Sequence, residues 1–218
     1  MTKKKLIHFQ ENLTFPHLFQ PKYHELEEEF GLNSCWGRDF FFNNNPIVLE
    51  LGCGKGEYTV GLAEKYPDKN FIGIDFKGAR LWRGAKTVKE KELQNVAFIR
   101  TQVDHITRFF GPGEVSEIWI TFPDPQPGKE RKRLTAPVFL DRYRPLLGEN
   151  GIIHLKTDDQ EFYEYTLKNI NNRHTLLYST NDLYHSGFSE DVVTIRTYYE
   201  MMWLQIGKKI CYIKFKLN

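Results

Sequence analysis

The chain has 218 residues, of which 40% are hydrophobic and 27% charged, an ordinary balance for a globular protein built around one core. No apolar run approaches the roughly 20 residues that cross a bilayer, and residues 1–11 lack the apolar stretch of a signal peptide, so we predict a cytoplasmic protein without membrane contact. The 30 basic residues nearly balance 28 acidic ones, and a net charge of +2 alone does not indicate a nucleic-acid binder.

The cysteines and histidines show no spacing typical of metal ligands. Cys35, Cys53 and Cys211 lie far apart and form no CxxC pair, and the seven histidines form no HExxH motif. We therefore predict reduced cysteines and no metal site.

Residues 1–45 precede any regular alternation of strands and helices. They contain aromatic residues and an acidic stretch, 25–30, with helical character. We predict that residues 1–45 form an arm packed on a domain that comprises residues 46–218.

From residue 46 onward, short apolar runs alternate with amphipathic segments. The predicted strands are 47–50, 71–75, 96–101, 117–122 and 152–157. The predicted helices between them are 57–65, 77–93, 105–110 and 136–147. This alternation is typical of an α/β fold in which helices cover both faces of a parallel sheet.

The pattern changes after residue 157. Residues 159–171 predict a helix opened by acidic residues, and 175–179, 194–203 and 209–217 are rich in strand formers. The last two stretches flank 204–208 like an antiparallel hairpin, and 181–192 is predicted to be a long loop. We expect a Rossmann-like, doubly wound, mostly parallel sheet of seven strands, closed by a C-terminal antiparallel hairpin.

Three glycines, Gly52, Gly54 and Gly56, follow the first predicted strand directly. A missing Cβ lets the backbone turn tightly there and approach a ligand closely. Asp75 ends the second strand, where a carboxylate can accept both hydrogen bonds of a ribose diol. Glycine loop and carboxylate together predict a nucleoside-cofactor site.

The loop reads GxGxG, whereas dinucleotide-binding loops read GxGxxG. Glu50 just before it suits a cationic ligand better than a pyrophosphate, which prefers helix-dipole and amide contacts without a nearby anion. S-adenosylmethionine carries a sulfonium and an ammonium group, so it is the favoured cofactor. A nicotinamide cofactor and a purely structural glycine turn remain alternatives.

The fourth predicted strand ends in the sequence FPDP, in which two prolines stiffen the backbone around Asp124. Several cations follow at once: Lys129, Arg131, Lys132 and Arg133. Such a cluster beside a carboxylate could meet the phosphates of a nucleic acid. A proline-rich turn with a solvated basic tip is the plain structural alternative.

These motifs together resemble the bacterial tRNA (guanine-N7)-methyltransferase family over residues 46–217. The matching stretches are 50–56 (ELGCGKG), 71–75 (FIGID), FPDP with KRL at 132–134 behind it, Thr157–Asp158, and 197–200 (TYYE). The family aligns an acidic residue with Gln102, whose amide can replace a carboxylate as acceptor. Gln126 replaces an aromatic residue, and the lysine-rich stretch is about two residues shorter than in the family.

The resemblance implies transfer of a methyl group from S-adenosylmethionine to N7 of a tRNA guanosine, in the variable loop. It implies Asp124 as the catalytic carboxylate. The implied cofactor-binding residues are Glu50, Gly52, Gly54, Gly56, Asp75, Gln102 and Asp124. The implied substrate-binding residues are Lys129, Arg131, Lys132, Arg133, Asp158, Thr197 and Glu200.

Other functions remain open at this point. The glycine loop fits equally a methyltransferase that acts on a protein or a small molecule, and the fold alone would fit a non-catalytic RNA-binding module. A monomer and a homodimer are both compatible with the sequence.

Overall fold

A computed structural model describes residues 3–26, 30–171, 173–189 and 191–218, and an eight-stranded sheet forms its centre. The strands are Leu18–Phe19 (β1), Ile47–Leu51 (β2), Asn70–Asp75 (β3), Val96–Arg100 (β4), Val115–Thr121 (β5), Leu147–Thr157 (β6), Thr175–Thr180 (β7) and Cys211–Lys216 (β8). Their order across the sheet is β1-β4-β3-β2-β5-β6-β8-β7. All neighbours up to β6 are parallel, and β8 is antiparallel to both β6 and β7. The predicted doubly wound, mostly parallel fold is confirmed.

Six α-helices accompany the sheet in the described ranges. They are Lys3–Asn12 (α1), Glu57–Lys65 (α2), Gly78–Glu90 (α3), Pro137–Tyr143 (α4), Gln160–Ile170 (α5) and Tyr198–Gln205 (α6). The predicted helix at 105–110 is instead a short 3₁₀ turn, Val103–Arg108.

The strands bury side chains on both faces, which explains their apolar sequences. In β2, Leu49 packs in one apolar layer with Phe139 and Phe162 of α4 and α5, whereas Val48 packs in the opposite layer with Leu62 of α2. Because strand side chains alternate between faces, Glu50 lies on the same face as Val48, beneath α2. The sheet therefore separates two cores, and the α2 side carries the glycine loop.

The sheet has one strand more than the seven predicted, because residues before 46 contribute to it. Leu18 and Phe19 of β1 pair in parallel with Phe98 and Ile99 of β4. Nothing in a two-residue stretch indicates a strand, since its pairing is entirely long-range.

The antiparallel closure is confirmed, and β8 lies within the predicted stretch 209–217, but its hairpin partner is not residues 194–203. β8 pairs with β7, and residues 194–203, predicted as a strand, lead into helix α6 instead. Thr197 caps that helix: its hydroxyl accepts from the Glu200 N–H, and the Glu200 carboxylate accepts from the Thr197 N–H. This capping box outweighs the strand preference of the aromatic residues that follow it.

Residues before 46 pack closely on the rest of the chain. Trp36 is fully buried and donates its indole N–H to the Phe109 carbonyl at 2.8 Å, and helix α1 lies against α3. The amide of Asn12 donates to the Gly78 carbonyl at 2.8 Å. Of the acidic stretch predicted at 25–30, residues 27–29 lie outside the described residues.

Within the described ranges, no helix has the length and apolar character needed to cross a bilayer. The same ranges contain no group of three or more His, Cys, Asp or Glu side chains placed to hold a metal ion.

Candidate active site

The carboxyl ends of β2 and β5 lie side by side in the middle of the sheet, where the strand order reverses direction. Leu51 of β2 is paired with Ile120 of β5, so the loops that follow these strands leave the sheet at the same level. In doubly wound folds this switch point is the place where ligands bind. The glycine loop and the FPDP loop are therefore neighbours.

The three loop glycines all adopt positive φ angles, 75° at Gly52, 58° at Gly54 and 70° at Gly56. A Cβ added at Gly52 or Gly54 would meet nothing within 4 Å, whereas at Gly56 it would lie 2.6 Å from the Phe98 ring. The first two glycines thus border open space, and the third permits close packing of helix and strand.

Asp75 is held beside this loop by two backbone groups. Its Oδ2 accepts from the Gly54 N–H at 2.9 Å, and its Oδ1 accepts from the Lys77 N–H at 2.7 Å. The side chain is almost buried, so these bonds fix its orientation. Each carboxylate oxygen keeps a lone pair that can accept from a diol.

Glu50 is more deeply buried than Asp75, and its carboxylate accepts hydrogen bonds from two threonines. Its Oε2 accepts from the Thr59 N–H at 2.8 Å and from the Thr59 hydroxyl, and its Oε1 accepts from the Thr121 hydroxyl. Burial raises the pKa of Glu50 to about 7, although the hydrogen bonds from Thr121 and Thr59 oppose that rise. A cationic ligand would favour its ionised form.

The edge beyond Asp75 carries two further side chains of interest. Gln102, which follows β4, is exposed to solvent. Phe76, which the motifs did not single out, is 58% exposed, with the Lys77 ammonium 5.1 Å from the ring centroid. An aromatic residue directly after Asp75 is the sequence signal that could have identified it, because an exposed aromatic ring can stack on a base.

The FPDP loop contains two non-glycine residues in the left-handed region, Phe122 with φ 46° and Gln126 with φ 49°. Asp124 between them is exposed, and its Oδ1 accepts from the Gln126 N–H at 3.1 Å. Backbone strain of this kind persists where surrounding contacts enforce it, and it is common at functional sites.

The basic stretch behind this loop divides into two parts. Lys129, Arg131 and Lys132 are exposed, and residues Glu130–Lys132 form a 3₁₀ turn. Arg133 is only 1% exposed and points inward, where it forms an ion pair with Glu161. Three of the four predicted cations are thus displayed together, and the fourth is not.

The predicted residues near α6 are less accessible. Asp158 is paired with Lys208, and Glu200 is fully buried with its Oε1 2.7 Å from Lys156 Nζ. Burial lowers the pKa of Lys156, and the Glu200 carboxylate opposes that shift. Lys156 was not singled out by the motifs, although a lysine within the apolar run of β6 is a visible signal.

Helix α6 lies against the glycine loop. The Glu57 carboxylate accepts from the Tyr198 N–H at 2.9 Å, and the Lys55 ammonium is 5.2 Å from the Tyr198 ring centroid. The structure therefore places the predicted cofactor and substrate residues at one edge of the sheet. Arg133 and Glu200 are the two predicted substrate residues whose side chains are buried and not open to a substrate.

Comparison with known proteins finds relatives that match this chain over most or all of its length. The family described as "Putative methyltransferase" matches residues 44–213. The tRNA (guanine-N(7)-)-methyltransferase of Bacteroides fragilis is 51% identical over 100% of this chain and 87% of its own length. That of Christiangramia forsetii is 53% identical over 100% of this chain and 99% of its own.

The crystal structure of the 16S rRNA methyltransferase KamB has a TM-score of 0.66 at 11% identity, covers 88% of this chain and 95% of its own, and shows a shared fold. The family match spans most of the chain, and the relatives are similar over its full length, so the resemblance seen in the sequence is confirmed. The chain belongs to the tRNA (guanine-N7)-methyltransferase family.

Proposed function

We propose that this chain transfers a methyl group from S-adenosylmethionine to N7 of a guanosine in tRNA, with Asp124 as the catalytic carboxylate. The observation that carries the proposal is the pairing of Leu51 with Ile120, because it sets the FPDP loop and its exposed Asp124 beside the glycine loop. Methyl transfer requires the guanine and the methyl donor to be in contact, and the edge where the FPDP loop and the glycine loop adjoin can hold both.

S-adenosylmethionine fits the residues at this edge. Gly52 and Gly54 leave open space for its methionine part, Asp75 offers two fixed acceptors for a ribose diol, and Glu50 offers an anion to the ammonium group. Gln102, which follows β4, and Phe76, which follows β3, are both exposed and are proposed to border the adenine. When bound, the cofactor supplies an electrophilic methyl group on a positively charged sulfur.

The reaction requires little acid–base chemistry from the chain. Guanine N7 carries a lone pair and no proton, so no residue needs to act as a general base. The chain instead contributes position, because the two reacting atoms must lie in line at roughly 3 to 3.5 Å. Asp124 would stabilise the positive charge that develops on the purine, or accept from the N1 and N2 donors of the guanine.

The tRNA would approach across the exposed cations beside the FPDP loop. Lys129, Arg131 and Lys132 lie on the surface, where phosphate contacts would hold the RNA without reading its sequence. Asp158, which follows β6, and Thr197, which caps α6, are proposed to contact the target nucleotide. The family relationship implies a guanosine of the variable loop.

Incubation of the purified chain with S-adenosylmethionine and unmodified tRNA, followed by nucleoside mass spectrometry, tests the proposal. We expect 7-methylguanosine in the product. Its absence would contradict the reaction, and methyl transfer to protein instead of tRNA would support the alternative substrate class. Absence of cofactor binding in calorimetry would favour a non-catalytic RNA-binding module.

The domain division, oligomeric state and location belong to the same proposal. We propose residues 1–45 as an arm on a methyltransferase domain of 46–218, which is supported by the family match beginning at residue 44. The chain would act in the cytoplasm, where tRNA is found, as a monomer or homodimer. Sedimentation of the purified chain would distinguish the two states.

A further inference from the structure

Arg133 is the most deeply buried cation of the basic stretch, and its guanidinium contacts two separate segments of the chain. Its Nε donates to the Pro125 carbonyl at 2.9 Å, and its Nη2 pairs with Glu161 at the start of α5. Its guanidinium carbon lies 5.5 Å from the Phe162 ring centroid and 4.7 Å from that of Tyr165. One side chain thus joins the FPDP loop to helix α5.

The residues that follow Arg133 are fixed as well. The Thr135 and Thr166 hydroxyls lie 2.6 Å apart, and the Tyr143 hydroxyl donates to the Leu134 carbonyl at 3.1 Å. Arg133 therefore lies between the exposed residues 129–132 and residues 134–135, which are anchored to α4 and α5. The Pro125 carbonyl is its only contact with the FPDP loop among the described hydrogen bonds.

That contact lies next to Asp124, in a loop that needs support. Phe122 and Gln126 bracket the loop with positive φ angles, which strain the backbone of a non-glycine residue. A planar guanidinium donates to a carbonyl and to a carboxylate at fixed angles, so it can hold such a backbone in place.

We propose that Arg133 is a positioning residue that holds Asp124 in place through the Pro125 carbonyl and does not contact RNA phosphates. This inference rests on the proposed role of Asp124. Arg133 Nη1 is buried and has no hydrogen-bond partner in the described part of the chain, so a phosphate could reach it only if the loop opened. A phosphate contact and a positioning contact predict different kinetics.

The test measures kcat, KM for tRNA and the salt dependence of tRNA binding for Arg133→Lys, with Lys132→Met as the matched control from the exposed tip. We expect R133K to lower kcat by about 10- to 100-fold, as misplacement of a reacting group does, with KM and the salt slope unchanged. K132M should keep kcat, raise KM and reduce the salt slope by about 1.

Wild-type kcat in R133K, or a raised KM with a reduced salt slope, would overturn the positioning role. If R133K fails to fold, Glu161→Gln replaces it, since it removes the ion pair and leaves Arg133 its bond to Pro125. E161Q should lower kcat by about two- to tenfold with KM unchanged, and either wild-type kcat or a change in KM alone would contradict the proposal.

The two proposals fail in distinguishable ways. No 7-methylguanosine from the wild-type chain would overturn the proposed function and the role of Arg133 with it. Normal product from both the wild type and R133K would overturn only the positioning role.

Discussion

Lys156 and Glu200 form an ion pair in which both side chains are fully buried, with Lys156 Nζ 2.7 Å from Glu200 Oε1. The ammonium also donates to the Val192 carbonyl at 2.5 Å, and the Tyr184 hydroxyl donates to Glu200. The pair thereby connects β6 to α6 and to the segment before α6. Because buried charges are costly without their partners, these contacts form a unit.

We expect Lys156→Met to lower the free energy of unfolding by about 3 to 5 kcal/mol, since it leaves the Glu200 carboxylate buried without a cation. Lys91→Met is the matched control, because its pair with Glu64 is 46% and 42% exposed and should contribute below about 1 kcal/mol. Urea denaturation of both variants measures the two losses. Similar small losses would show that the buried pair is not a unit.

Glu50 gives the chain a specific dependence of stability on pH. Its folded pKa, about 7, exceeds the 4.5 of an unperturbed glutamate, so the folded state holds the proton more tightly than the unfolded state. Stability should therefore fall as pH rises from 4.5 to about 7, by on the order of 3 kcal/mol from this group. Urea titrations of wild type and Glu50→Gln at several pH values isolate this contribution, which E50Q should abolish. A difference between the two proteins that is constant with pH would contradict a raised pKa.

The sequence predicted the central sheet well because each parallel strand carries its own signal. Apolar runs of five or six residues, such as β2 and β3, are buried on both faces and need no knowledge of their partners. The two-residue β1 has no such local signal. Residues 194–203 show the limit of strand propensity, since the aromatic residues favour a strand but the Thr197–Glu200 capping box, also present in the sequence, starts a helix.

The candidate site could be located from the sequence where its signal is local, because Gly52 and Gly54 follow a strand and Asp75 ends one. The burial of its other side chains depends on packing. Whether a cation faces solvent or the interior cannot be read from a basic run, and Arg133 is buried, unlike Lys132, because its guanidinium contacts Pro125 and α5. Long-range packing determines that difference.

Gly54 borders open space and Gly56 packs against Phe98, so alanine substitutions at the two positions should have different effects. Gly54→Ala adds a Cβ in open space, so it should lower the free energy of unfolding only through the left-handed backbone conformation, by about 1 to 2 kcal/mol. Gly56→Ala places a Cβ 2.6 Å from the Phe98 ring and should cost about 3 to 5 kcal/mol. We expect G54A to fold and to weaken S-adenosylmethionine binding at least about tenfold in calorimetry. Wild-type affinity in G54A would show that the cofactor does not approach this glycine.

Asp124 provides the sharpest separation of catalysis from binding. Its carboxylate is exposed at the end of β5, and its contact within the loop is the Gln126 N–H, so its removal leaves the core intact. We expect Asp124→Ala to lower kcat by about 100- to 1,000-fold, the usual effect of losing one group that stabilises developing charge. Cofactor affinity should persist, because Glu50 and Asp75 are untouched.

Asp124→Asn separates two roles of this carboxylate, because it keeps an acceptor oxygen and removes the charge. A higher kcat in D124N than in D124A would indicate a hydrogen bond to guanine. An equal loss of kcat in both variants would indicate charge stabilisation. Wild-type kcat in both variants would exclude Asp124 from catalysis.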